Sequence, residues 1–251
     1  MAKTKMTLSV PFLSVVVPAY NEEKRIGDTL TTILAYLESR AYTYEMIIVD
    51  DGSRDSTIEV INSKIHQSDR ARLISYHPNR GKGFAVRQGI LASQGQAVVF
   101  TDADLSTPIT EIENALIHLD SFEIVIGSRA LAESRIIKHQ PSYRRLGSQV
   151  FNTLRDSIVG ADISRFKDTQ CGFKAFHGSV ARRLFDLLRV DGFMFDVELL
   201  YVAIKLGYRI HEIPVPWTDM PGSKLRLIRD TARMFRDLAM IRLMHRNLLR
   251  G

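Results

Sequence analysis

The sequence of 251 residues has one cysteine, Cys171, so no internal disulfide can form. No Cys/His group has zinc-ligand spacing. No uninterrupted apolar stretch reaches the ~18 residues of a membrane-spanning helix. Residues Met1 to Pro11 are too few and too polar for a signal peptide. Together these absences predict a cytoplasmic chain, free or peripherally bound to the cytosolic face of a membrane. Two nucleotide fingerprints are missing as well: the P-loop spacing G-x-x-x-x-G-K-[ST], and G-x-G-x-x-G after a strand. Internal repeats and low-complexity segments are absent. Aromatics make up 8% and are not interleaved with the basic residues, and no nucleic-acid motif occurs, which excludes a nucleic-acid partner.

What is present suits one sizeable soluble core: 45% apolar and 25% charged residues. The net charge of +6 is uneven. Lys224, Arg226, Arg229, Arg233, Arg236, Arg242, Arg246 and Arg250 crowd the end of the chain, opposed only by Asp230 and Asp237. Such a tail attracts phosphorylated ligands or anionic headgroups. Apolar runs predict strands near 12–18, 45–50, 72–76, 97–101 and 122–127. Helical periodicity fills the gaps near 22–39, 55–68, 82–94 and 108–119, with Asp55 or Ser56 capping the second and Thr107-Pro108 starting the fourth. This alternation predicts an α/β fold with a mostly parallel central sheet flanked by helices. Residues 128–143 lack periodicity and read as a long loop. A helix near 143–158, a strand at 172–176, helices near 178–188 and 196–206, and a strand at 209–215 follow. The organisation expected is one domain over 1–224 and a basic amphipathic helix over 225–251.

Two acidic clusters stand out, each closing a β-branched run. Met46-Ile47-Ile48-Val49 leads into Asp50-Asp51-Gly52-Ser53, and Ala97-Val98-Val99-Phe100-Thr101 into Asp102-Ala103-Asp104. Open α/β sheets bind ligands beyond the carboxyl ends of their strands, so both clusters should face one crevice. Two carboxylates spaced Asp-x-Asp can share a hard cation, Mg²⁺ or Mn²⁺, that also bridges diphosphate oxygens. Asp50 or Asp51 could accept hydrogen bonds from a base or a ribose. A solvated acidic turn is the plainer account of either cluster, and two clusters together weaken it.

The remaining motifs are weaker singly. Pro18-Ala19-Tyr20-Asn21-Glu22 leaves the first strand, with Tyr20 able to stack on a base and Glu22 to accept polar hydrogens. Asn21 equally serves as a helix N-cap. In Asn79-Arg80-Gly81-Lys82-Gly83 the glycines let backbone approach an anion at a helix N-terminus, although an ordinary turn explains them too. Arg129, at the end of the fifth strand, and Arg144-Arg145 offer guanidinium forks to a phosphate. Asp168, in Asp168-Thr169-Gln170-Cys171-Gly172-Phe173-Lys174, is equally a general base or a cap for backbone N–H groups. Cys171 reads as a small buried side chain.

In order, these segments resemble the GT-A inverting glycosyltransferases that load sugars onto polyprenyl phosphates. The likeness runs through residues 15–22, 49–57, 79–83, 101–105, 127–129, 168–174 and 195–200, with Trp217 and Gly222-Ser223-Lys224-Leu225 beyond. It implies a single Rossmann-like GT-A domain. Pro18, Tyr20, Glu22, Asp50 or Asp51 and Lys82 would then line the nucleotide-sugar pocket, and Asp102 and Asp104 would hold Mg²⁺ or Mn²⁺ and the donor diphosphate. Arg129, Arg144 and Arg145 would meet the acceptor phosphate, with Ser223-Lys224 near it or the donor diphosphate. Asp168 and Gln170 would face the sugar. Ser106 stands where related mannosyltransferases carry glutamine, which leaves a third metal ligand open. Eukaryotic glucose-transferring members carry an N-terminal membrane anchor, and none opens this sequence. Membrane contact would fall to the C-terminal helix, whose Leu227, Met234, Leu238, Ile241 and Leu248 equally suit packing on the core.

The reaction implied moves a sugar, most simply glucose from UDP-glucose, onto a polyprenyl or dolichyl phosphate. The catalytic burden would fall on Asp104, Arg129, Asp168 and Gln170. GDP-mannose is the competing donor. A sugar hydroxyl is the competing acceptor and would need Asp168 or Asp196 as base. A silent nucleotide-binding subunit is the reading from another class, and the intact acidic pairs speak against it.

Overall fold

The computed structural model describes residues 10–66, 68–138, 153, 155–220 and 227–248. Strands Leu13–Ala19 (β1), Tyr44–Asp50 (β2) and Ala97–Thr101 (β4) are buried at every position. Parallel strands covered on both faces need continuous apolar runs, and these three supply them. Ala71–Ser75 (β3) and Ile210–Pro214 (β8) are only partly buried because they form the two edges. Ile124–Ser128 (β5) and Phe173–His177 (β7) complete a seven-stranded sheet of order β3-β2-β1-β4-β7-β5-β8. All pairings are parallel except those of β7, which runs against β4 and β5.

Side chains alternate across this sheet and feed two cores. Val15, Val17, Val99 and Val125 meet helices Ile26–Glu38 (α1), Thr57–Ile65 (α2) and Glu111–Leu119 (α4) on one face. Val16, Val98, Phe100 and Ile126 meet Lys82–Ala92 (α3), Gly178–Leu187 (α5), Phe195–Lys205 (α6) and Leu227–Met244 (α7) on the other. α3 lies so close to β1 that a Cβ at Gly89 would overlap Val16. α7 belongs to this second core, because Leu238 and Ile241 are fully buried in it.

The strand expectations hold to within two residues; several helix starts do not. Asn21 is no N-cap: it sits at φ +52° and α1 begins at Ile26, after Glu22 accepts the Arg25 and Ile26 N–H groups. Thr107-Pro108 does not start α4, because residues 108–112 first make short-range bonds from Glu111 and Ile112 to Pro108 and Ile109. Ahead of α2 the cap position falls on Ser56, which makes no side-chain cap bond; Asp55, one residue earlier, accepts the Thr57 N–H through Oδ1 at 3.1 Å instead. The supposed loop after Gly127 contains a short strand, Ile136–Lys138 (β6), pairing with Trp217–Thr218 (β9) in a second small sheet. The helix expected at 143–158 falls mostly outside the described residues; 155–159 are helical.

Candidate active-site cleft

The carboxyl ends of β1, β2, β4 and β5 open into a cleft of about 1370 Å³. The turn after β1 is stitched to the turn after β2. Asn21 donates its N–H to Ser53 Oγ at 2.9 Å and accepts the Arg54 N–H at 2.8 Å, while Glu22 donates to Thr57 Oγ1 at 2.7 Å. Pro18, Tyr20, Glu22 and Asp51 therefore share one wall. The two aspartates of the first cluster part company. Asp50 is fully buried behind the wall, where Oδ2 accepts the Ser53 N–H and Oδ1 has no partner among the described residues. Asp51 reaches the cleft and ties down the next loop. Its Oδ1 accepts the Arg80 N–H and its Oδ2 those of Gly81 and the Asn79 amide, all at 2.7–2.8 Å. Burial nevertheless pushes its carboxyl above the ordinary range.

That loop delivers Lys82 to the cleft, where its ammonium stands 2.6 Å from Asp102 Oδ1. Burial opposes this charge, but Asp102 and Asp196 together hold the ammonium above the usual lysine range. Asp102 and Asp104 lie on a turn closed by the Leu105 N–H on the Asp102 carbonyl at 3.1 Å, with Leu105 at φ +47°, an uncommon conformation for a non-glycine residue. Asp104 Oδ1 accepts the Ser106 N–H at 2.9 Å, so Ser106 braces that carboxylate. Gly172 is obligatory opposite, because any Cβ there would overlap the Asp102 carboxylate.

Among the described residues no group of three or more His, Cys, Asp or Glu side chains surrounds a cation position. Asp102 and Asp104, both on the cleft, remain. That donor set fits a hard divalent ion that takes one or two protein carboxylates and completes its shell with substrate phosphate and water.

At the end of β5, Arg129 lines the cleft with Gln170 and Trp217. Asp168 lies behind it. Asp168 Oδ2 accepts the Arg129 N–H at 3.0 Å and Nε–H at 2.6 Å, and Oδ1 accepts Nη2–H at 2.8 Å. The Trp217 ring flanks the same guanidinium, its centroid 5.4 Å from Cζ. Burial penalises the Asp168 charge, yet Arg129 holds the carboxyl below its ordinary range. An acid so engaged is a poor base, and it does not line the cleft; the expectation that Asp168 faces the sugar is corrected on that ground. Arg144, Arg145, Ser223 and Lys224 lie outside the described residues.

Sequence reasoning passed over a buried pair beneath this floor. Lys174 Nζ, fully buried, donates to Asp196 Oδ1 at 2.6 Å and to the Cys171 carbonyl at 2.7 Å, and lies 5.3 Å from the Phe100 ring centroid. A lysine between Phe173 and Ala175-Phe176 in a strand was the available signal. Arg25, paired with Glu22, and the methionines Met220, Met234, Met240 and Met244 on the far wall were also missed. Cys171 is buried as expected, and burial pushes its thiol up to about 11. About one such thiol in a thousand is ionised at pH 8, and the thiolate is the reactive form. Iodoacetamide should therefore alkylate Cys171 only as fast as the protein unfolds; rapid stoichiometric labelling of the native protein would contradict its burial.

Comparison with known proteins follows the same lines. The family model described as glycosyl transferase family 2 matches residues 14–185. The chain is 40% identical over 243 residues to a dolichyl-phosphate beta-glucosyltransferase of Drosophila melanogaster, covering 91% of this chain and 74% of the fly protein. It is 40% identical over 245 residues to the Homo sapiens protein of that name, covering 92% and 75%. Against the Saccharomyces cerevisiae protein it is 35% identical over 251 residues, covering 92% and 74%. Among solved structures it is similar to Mycobacterium tuberculosis glucosyl-3-phosphoglycerate synthase in complex with Mn²⁺, uridine diphosphate and glucosyl-3-phosphoglycerate. The TM-score there is 0.67 at 20% identity, over 96% of this chain and 81% of that one. A complex of the same synthase with Mg²⁺ and uridine diphosphate gives the same values. These structures bear out the mostly parallel, helix-flanked glycosyltransferase fold.

Proposed function

Because the chain belongs to glycosyl transferase family 2, we propose that it transfers glucose from UDP-glucose to the phosphate of a dolichyl or related polyprenyl phosphate. One observation carries this reading: Asp51, Lys82, Asp102, Asp104 and Arg129 line a single cleft at the carboxyl ends of the sheet. The relatives' names supply glucose and dolichyl phosphate, and the solved neighbours hold uridine diphosphate with Mn²⁺ or Mg²⁺.

The acceptor phosphate oxygen forms a bond to the anomeric carbon as the bond to the diphosphate oxygen breaks, inverting that centre and releasing UDP. A phosphate anion is already nucleophilic, so no side chain needs to remove a proton. Positioning and neutralisation of the leaving group supply the rate. Pro18, Tyr20, Glu22 and the loop fixed by Asp51 shape the nucleoside pocket. Asp102 and Asp104 would hold a divalent ion at the diphosphate site, and Lys82 supplies a positive charge beside Asp102. When bound, Mg²⁺ or Mn²⁺ contributes Lewis-acid stabilisation of the departing diphosphate. Arg129, held in orientation by Asp168 and Trp217, receives the acceptor phosphate, with Arg144, Arg145, Ser223 and Lys224 proposed beside it. Gln170 faces the sugar.

The lipid half of the acceptor suits the methionine wall, since flexible thioether side chains adapt to irregular apolar ligands. α7 exposes Phe235, Met240 and Leu243 beside Arg236, Arg242 and Arg246. Among the described residues no helix is long and apolar enough to cross a membrane. We therefore place the protein on the cytosolic face of a membrane through this basic, apolar helix face. A hydroxyl acceptor fits less well. Its candidate bases, Asp168 and Asp196, are paired to Arg129 and to the buried Lys174 respectively, and neither lines the cleft.

Purified protein with Mn²⁺, a short-chain polyprenyl phosphate and either UDP-glucose or GDP-mannose tests this directly. The expected products are UDP and a glucosyl phosphoprenol. Turnover of GDP-mannose alone, or transfer only to a sugar hydroxyl, would overturn the assignment.

A further inference from the structure

Lys82 occupies the first position of α3, where the positive end of the helix disfavours a cation. Its ammonium is nevertheless held 2.6 Å from Asp102 Oδ1. The backbone on both sides enforces this contact. Gly81, at φ +116°, leads into α3 so tightly against the Asp191 carbonyl that no side chain would fit. On the neighbouring strand end, where Gly172 accepts the Asp102 N–H at 3.1 Å, Asp102 Oδ2 fills the space a side chain at Gly172 would take. The carboxylate is thus packed against Gly172 on one side and holds the Lys82 ammonium through Oδ1 on the other. The carboxylate of Asp196 acts on the same ammonium from below.

We propose that Lys82 is a built-in counter-cation: it occupies Asp102 whenever no nucleotide diphosphate is bound, and the divalent ion gains Asp102 only together with the diphosphate. The proposal rests on the metal-dependent reading of the cleft given above and specifies its order of binding. An ammonium and a divalent ion on one carboxylate repel each other, so the ammonium must leave. The lysine stem is flexible enough to move it, and the arriving diphosphate is the anion that receives it. The diphosphate thereby vacates Asp102 and brings ligands for the ion in one event. On product release the sequence reverses, and Lys82 returns to Asp102 as UDP departs with the ion.

The test is Mn²⁺ binding to the full chain, read from the free-ion electron paramagnetic resonance signal with and without UDP. In wild-type protein UDP should tighten Mn²⁺ binding by about 10-fold or more, a usual size for coupling between sites. In Lys82→Met without UDP, Mn²⁺ should bind about 10-fold more tightly than to wild type, with the UDP effect reduced to match. Nucleotide-free Lys82→Met that binds Mn²⁺ no better than wild type overturns the proposal. If that variant does not fold, ¹⁵N-lysine side-chain spectra of the wild type decide. The Lys82 ammonium signal should stay in place with Mg²⁺ alone and move with Mg²⁺ plus UDP. Movement with Mg²⁺ alone is the opposing result. Failure of UDP to bind under any condition would overturn the donor assignment instead, and the nucleotide-free comparison would still stand separately.

Discussion

Asp104→Ala should abolish glucosyl transfer while leaving the protein folded. Asp104 lies on the cleft with Asp102, and among the described residues its carboxylate accepts one hydrogen bond, from the Ser106 N–H at 2.9 Å. Losing a partly exposed bond of that kind costs about 1 kcal/mol, which lowers Tm by roughly 2–4 °C for a chain of this size. Losing half of the protein's share of the metal site removes a term that acts mainly on the departing diphosphate. A fall in kcat of about 10³-fold or more, or roughly 4 kcal/mol, is expected. The deficit should appear in kcat more than in KM, because the charge develops as the diphosphate leaves. Steady-state transfer assays alongside thermal unfolding separate the two effects. Turnover near the wild-type rate in Asp104→Ala, with chelator present, would remove the metal from the mechanism.

How much of this was legible before the fold was known depended on range in sequence. The strands β1, β2 and β4 were readable because parallel strands buried on both faces need unbroken apolar runs, and the sequence has them. The carboxylates that follow β2 and β4 were then placed by topology alone. The division of labour between Asp50 and Asp51 was not readable. It depends on which side of the strand end each carboxylate leaves from, and on a loop almost thirty residues later whose N–H groups fold back onto Asp51. Asp168 misled for the same reason: the Arg129 that occupies it is 39 positions away. The reversed direction of β7 had no local signal, since Phe173–His177 would make as good a parallel strand. The seat of α7 was likewise open. It is settled by buried Leu238 and Ile241 and by His245 Nε2, which meets the fully buried Glu198 Oε1 at 2.7 Å.

Lys174→Ala should be among the most destabilising single changes in the protein, although Lys174 does not line the cleft. Its ammonium is the direct hydrogen-bonding partner of Asp196, whose carboxyl burial pushes above the ordinary range even with that partner in place. Removing the cation strands a carboxylate with 3% exposure beneath the cleft floor. Breaking one side of such a pair costs about 3–5 kcal/mol, against a total stability of roughly 5–15 kcal/mol. The urea midpoint should fall accordingly with little change in slope. The double replacement Lys174→Met with Asp196→Leu distinguishes the stranded charge from the lost volume. It removes both charges and should recover most of the stability, because apolar groups of similar size replace buried ion pairs at little cost. Recovered stability need not restore transfer, since Lys82 then loses the charge of Asp196 behind it. A double variant as stable as wild type with an altered dependence on UDP and Mn²⁺ would identify the buried pair as an electrostatic support for the site. An unchanged urea midpoint in Lys174→Ala itself would mean that Asp196 is neutral in the folded protein and that the pair carries no charge to support anything.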